Sequence, residues 1–363
     1  MNQQSATIEE LLLCGLLYAV MLYIAYKNRV ENKRRQNIIL IIGIVLLCLF
    51  SFWGSDYFHY LEAFQSYKHA RDIYHIEEAY MPIFAFSPSY SLFRFIIWGT
   101  AFALLYYSRE VLNIEKSVFL FAFVYLYLFR FSYARVSLSI AMIMFGYALI
   151  ISKTKLRLWV VLLGLAIMFL SIRFHKSAIL AIVGVAIGIV LTKKQYINLI
   201  LLFLPLAIFF VNDYLYGFII DKSLIEDELT LNAFNLYTQN VGSSTGRIGL
   251  GEIVFYTLET TAVYYMLYIL YKFIYVKKIK TSRTIRLLFS ATLGMVFLAT
   301  SFAFTTPIIY KRILIMSMAP MVFSLSSIYD KIKNMTATKI GITLFILYQI
   351  YNILYNFRVV GAL

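Results

Sequence analysis

Arg173-Phe174-His175-Lys176-Ser177 sets the side chain that titrates near neutrality between two cations, where two apolar runs meet. Such a histidine can accept a proton from a hydroxyl while the cations hold an anion. A polar turn with an interfacial histidine fits the same residues. Upstream, Arg130 and Arg135 flank a short break between apolar runs, and Arg135 opens Arg135-Val136-Ser137-Leu138-Ser139-Ile140-Ala141. A guanidinium at a helix N-terminus suits phosphate twice over, by the dipole and by charge-assisted hydrogen bonds. Snorkelling of both arginines to headgroups is the other reading. In Gly54-Ser55-Asp56-Tyr57-Phe58-His59-Tyr60, Asp56 can be a helix cap, a base or an arginine's partner, with Tyr57 and Tyr60 beside it. Arg247 and Tyr310-Lys311-Arg312 place further cations at the starts of late apolar runs. Glu252 and Glu259 share one helix face, and Glu259 lies deep enough to need a partner, expected among these late cations.

The elements that must position these residues are membrane helices. The 363 residues are 61% hydrophobic and 14% charged, whereas a soluble domain carries about a quarter charged residues. A net charge of +15 would suggest nucleic acid for a soluble protein. In a membrane protein it reflects cytoplasmic loops facing anionic lipid, so no nucleic-acid partner is expected. Cys14 and Cys48 lie inside apolar runs, and His59, His69 and His75 are irregularly spaced, so neither a disulfide nor a metal site is expected. Apolar runs fall near 9–26, 37–53, 92–107, 117–131, 136–152, 157–173, 176–192, 196–212, 251–275, 285–304, 307–328 and 338–357. Unbroken runs of this kind mean helices, not barrel strands. The expectation is an all-α fold: a polytopic membrane helix bundle of about 12 transmembrane helices, a single integral membrane domain over 1–363.

Taking alternate connections puts roughly two-thirds of the 33 Lys and Arg residues on one side, which the positive-inside rule makes cytoplasmic. Both termini are then outside. The remaining bases are outer, and Arg130, Arg135, Arg173, Lys176, Arg247, Lys311 and Arg312 gather at outer helix ends. The others, Lys68, Arg71, Arg94, Lys222 and Arg358, read as ordinary loop or interface residues. Two long connections are also outer. The first, 54–91, carries an apolar stripe at Tyr57, Tyr60, Leu61, Phe64 and Tyr67, expected as an amphipathic helix in the outer interface. The second, 213–250, is acidic and then rich in glycine and serine. Cations, a histidine and an aspartate at one membrane depth suit a lipid-linked diphosphate whose head group lies outside.

Gly54-Ser55-Asp56-Tyr57 with Tyr60, Arg135 opening a small-residue helix, Phe174-His175-Lys176-Ser177 and the late pair Lys311-Arg312 occur in an order that resembles the EpsG family of Wzy-like polysaccharide polymerases. The resemblance spans about residues 50–320, in motifs and topology. The family usually has Gln after the arginine, where this chain has Val136. The resemblance implies a GT-C-like scaffold in the bacterial plasma (inner) membrane, with the active site facing the periplasm or cell exterior. It implies glycosyl transfer without a cofactor: a growing O-antigen or exopolysaccharide chain passes from undecaprenyl diphosphate to a new lipid-linked repeat unit. Arg135, Arg130, Arg173 and Arg312 would then stabilise the diphosphate leaving group, with Lys176, Arg247 and Lys311 near it. His175 or Asp56 would orient or deprotonate the attacking hydroxyl, supported by Tyr57, Tyr60, Glu252 and Glu259. Implied partners are the undecaprenyl-diphosphate-linked oligosaccharide, membrane lipid, a chain-length regulator and a flippase. A lipid-linked oligosaccharide flippase, an acyltransferase and an O-antigen ligase are the competing readings; the ligase shares the leaving group.

Overall fold

The structure, a computed structural model, describes residues 8–50, 56–69, 77–128, 130–132, 134–152, 157–191, 250–277, 282–301 and 307–359. Among these residues all regular structure is helical. The first half holds α1 (Ile8–Glu31), α2 (Arg34–Phe50), α3 (Asp56–Lys68), α4 (Met81–Phe86) and α5 (Tyr90–Val111). Next come α6 (Lys116–Ala122), α7 (Ala134–Ile151), α8 (Leu158–Phe174) and α9 (Ala178–Leu191). The late helices are α10 (Leu250–Tyr271), α11 (Arg283–Ser301), α12 (Pro307–Ile332) and α13 (Thr336–Val359). Apart from the run near 196–212, which lies outside the described residues, the described part of each expected apolar run falls largely on these helices; those near 117–131 and 251–275 continue into π-helical turns, Phe123–Tyr127 and Lys272–Val276. The loop expected over 213–250 lies outside them up to residue 249.

Three described helices are long and apolar enough to cross a membrane: Tyr90–Val111, Arg283–Ser301 and Tyr310–Ile332. Lys116–Tyr127, Val136–Ile151, Leu158–Phe174 and Ala178–Val190 are apolar but shorter. The chain is thus a helical membrane protein. Its surface is apolar in the manner of a lipid-facing bundle. On α8, Leu158, Trp159, Leu162, Phe169 and Leu170 are exposed, while Val160, Gly164, Met168 and Ser171 turn inward. That inward set recurs at three- and four-residue steps, one stripe of a helix. By contrast α6 is buried all round from Ser117 to Ala122, and its continuation as a π-helical turn over Phe123–Tyr127 is buried too.

Close packing follows small residues. α7 packs on α8, α9 on α11, α10 on α13, and α5 on α7. A Cβ at Gly146 would meet the Gly164 carbonyl oxygen at 2.3 Å, and one at Gly188 would meet that of Ser290 at 1.9 Å. Backbones that close leave room only for hydrogen, the solution by which apolar helices associate when lipid removes the hydrophobic drive.

Of the stripe expected on 54–91, the side chain of Tyr57 lies outside the described residues, while Tyr60 and Phe64 can be placed. α3 buries Tyr60 and Phe64. Tyr60 stacks on Phe93 of α5 (5.9 Å) and meets Tyr80 edge-on (5.4 Å), and Phe64 meets Phe84 of α4 (5.6 Å). Protein rings cover these two positions, because α4 and the 3-10 turn Glu78–Tyr80 fold back over them.

Replacing Gly188 with alanine should force α9 from α11 and cost about 1–3 kcal/mol, read as a lower melting temperature in detergent. Gly99→Ala, on α5 with open space around it, is the control: it should be neutral or stabilising by up to about 1 kcal/mol. Equal losses in both would refute the packing assignment.

Candidate functional site

The break between α6 and α7 is a 3-10 turn, Arg130–Ser132, and two side chains hold it. Trp98 Nε1 of α5 and Ser137 Oγ of α7 both donate to the Phe131 carbonyl, each at 2.7 Å. With Phe131 also packed against Phe123 (5.2 Å) and Tyr127 (5.9 Å), the turn is pinned inside the bundle. Arg130 is therefore fully enclosed, at 0% exposure. Its Nη2 donates to Glu259 Oε1 of α10 at 2.6 Å, and its Nε donates to the Tyr348 hydroxyl of α13. Tyr348 in turn donates to the same Glu259 oxygen at 2.5 Å, and the guanidinium carbon lies 5.1 Å from its ring centroid.

This trio corrects two expectations. Glu259 has a cation, but it is Arg130, not one of the late cations. Arg130 does not stand at an outer surface ready for a diphosphate; its charge is matched by a carboxylate that is equally buried. Isolated, either charge would be very costly there, so each is the other's condition for burial. Glu259 Oε2 has no hydrogen-bond partner among the described residues.

His175 ends α8. Its amide donates to the Ser171 carbonyl (3.1 Å) and its own carbonyl accepts from Ala178, the first residue of α9 (2.9 Å). The ring is nearly enclosed, 2% exposed, with Nδ1 in a long 3.4 Å contact to Glu77 Oε1. A carboxylate at Nδ1 favours the tautomer with its proton there, which leaves Nε2 as the basic nitrogen. Arg173 and Lys176 on either side are exposed. Glu77 was not singled out from sequence. Its signal was faint: Glu77-Glu78 in a loop whose aromatic residues needed burial. Tyr80 supplies the link, since its ring meets Phe174 at 5.5 Å and carries the loop onto α8.

The other expected residues divide by position. Asp56 opens α3, Arg135 lies in the first turn of α7, and Glu252 in the first turn of α10. The side chains of Asp56, Tyr57, Arg135 and Glu252, and the whole of Arg247, lie outside the described residues. Tyr60 sits in the aromatic cluster. Lys311 and Arg312 are half-buried on α12. Tyr310 beside them hydrogen-bonds Thr260, so this basic pair adjoins the turn of α10 that carries Glu259. Arg94, read from sequence as an ordinary loop or interface residue, is 3% exposed. It donates to the Leu49 carbonyl at the end of α2 (2.7 Å) and lies over Trp98 (4.7 Å). Its place within the apolar part of α5 was the missed signal. Among the described residues no three His, Cys, Asp or Glu side chains gather to hold a metal.

Glu259→Ala leaves a buried guanidinium unmatched and should cost about 3–5 kcal/mol, seen as thermal destabilisation in detergent. The double variant Arg130→Met/Glu259→Leu should recover much of that loss; a double variant as unstable as the sum of both singles would show the two sites to be independent. Compared with protein-family models, with curated proteins and with solved structures, the chain matches none of them.

Proposed function

We propose that this chain is a bacterial surface-polysaccharide polymerase of the Wzy-like kind, built as about twelve membrane spans on a GT-C-like plan. The reading rests above all on His175, enclosed beside Glu77 and flanked by the exposed cations Arg173 and Lys176. That arrangement sets a base whose Nε2 is enclosed beside two exposed cations able to hold an anion. His175 Nε2 takes the proton of a sugar hydroxyl on the incoming lipid-linked repeat unit. The freed oxygen bonds the anomeric carbon of the growing chain, and the bond from that carbon to undecaprenyl diphosphate breaks. The electron pair leaves with the diphosphate, whose new negative charge meets Arg173, Lys176 and Arg135, with Lys311, Arg312 and Arg247 as further cations. Arg130 is a positioning residue here, holding the turn before Arg135 through Glu259. Asp56, at the start of α3, is the alternative base. The reaction takes place at the outer face of the plasma membrane, with a flippase delivering substrate and a chain-length regulator limiting it.

Deleting the gene and resolving surface glycan by size tests the function. A single repeat unit on its acceptor with no ladder is expected; an intact ladder sinks the proposal. Complete loss of attached glycan would point instead to a flippase or ligase. In the complemented strain His175→Ala should lower ladder formation about 100-fold or more with normal protein in the membrane. Glu77→Gln should fall between that variant and wild type. Full activity in both would remove the pair from the chemistry.

A further inference from the structure

The turn from α1 to α2 lies on the side where the basic connections concentrate, away from the residues used above. Asparagines build it. Asn28 donates to Asn37 (2.7 Å) and accepts from the Lys33 amide (2.8 Å), while Asn37 donates to Asn32 (3.0 Å). Asn32 takes the left-handed conformation, φ 46°, that short polar side chains tolerate best after glycine. Beside this braced turn is a cavity of about 450 Å³, lined by Asn32, Arg34, Asn37, Ile38, Ile41 and, from the start of α6, Lys116.

Among the described residues its two cations make no ion pair. Of the neighbouring acids, Glu31 pairs with Lys33 at 2.6 Å, while Glu115 accepts from the Ser117 hydroxyl at 3.1 Å and keeps its charge outside the cavity lining. Among the described residues neither Arg34 nor Lys116 has a carboxylate within 4.0 Å. Lys116 has the Tyr106 ring at 5.6 Å, which leaves its full charge in place. Below the cations the wall turns apolar: Ile38 leads along α2 to Ile42 and Leu46, all exposed. We propose that this cavity binds the phosphate headgroup of an anionic phospholipid, the phosphate between Arg34 and Lys116 and an acyl chain along the isoleucines. A free phosphate would satisfy the two cations equally well. The apolar wall continuous with an exposed helix face is what selects a lipid, and basic pockets between membrane helices are general sites for such headgroups.

The test uses the full chain in nanodiscs of phosphatidylcholine, with or without phosphatidylglycerol, and in detergent with inorganic phosphate. Native mass spectrometry and thermal melting are the readouts. Phosphatidylglycerol should be retained and raise the melting temperature. Arg34→Gln/Lys116→Gln should weaken its retention by about 30-fold, about fivefold for each cation. Arg283→Gln/Lys339→Gln, charges at other helix starts, should retain it as wild type does. Unchanged retention in the first double variant overturns the site. A melting shift produced equally by inorganic phosphate overturns the lipid and makes the cavity a soluble-anion site.

Discussion

Arg130 and Glu259 stand 2.6 Å apart with no exposed surface, joined through Tyr348. In a bundle wrapped by lipid, nothing outside could neutralise either charge. The turn between α6 and α7, the middle of α10 and the middle of α13 must therefore meet, although the paired residues lie 129 apart in sequence. The pair also explains why so much is spent on the turn itself. Trp98 and Ser137 converge on one carbonyl so that Arg130 points inward, and Phe123 and Tyr127 of the π-helical turn before it pack against Phe131. Replacing both charges by apolar groups of like volume could be as stable; the ion pair ties the Arg130 turn to α10, and Tyr348 ties α13 to both.

Around that centre the remaining packing is close and mostly apolar. Glycines at α7–α8 and α9–α11 let backbones touch, and dispersion and weak polar contacts act where the hydrophobic effect between lipid-bathed helices is small. Helix α5 then links the two polar places. Trp98 holds the Arg130 turn, while Phe93, five residues earlier, packs against Tyr60 and Tyr80, and Tyr80 sets the Glu78–Tyr80 turn against α8. Through Tyr80 and Phe174 this brings Glu77 to His175. The proposed base thus depends on an aromatic cluster with no polar role of its own.

The helical runs, the buried stripe of α3 and the need of Glu259 for a cation were all legible in the chain, since each is a statement about local periodicity or the cost of a lone charge. The close contact of α9 with α11 was legible too, in Gly184 and Gly188 one turn apart, though it was not read. The choice of Arg130 over Lys311, Arg312 or Arg247 was not legible. Several bases share one expected depth, and sequence spacing carries no information about which helix faces which. Arg94 was misread for the same reason: only the arrival of the α2 terminus, whose Leu49 carbonyl accepts from it, makes its burial affordable.

By itself, then, the sequence determined that the chain is helical and membrane-embedded, because hydrophobic length and charge density act residue by residue. It also placed His175 between two cations. Only the tertiary structure decided that Glu77 faces that histidine, that Arg130 is sealed against Glu259 and Tyr348, and that Arg34 and Lys116 line one cavity. Pair interactions act over a few ångströms between helices distant in sequence, so their partners exist only once the helices have packed.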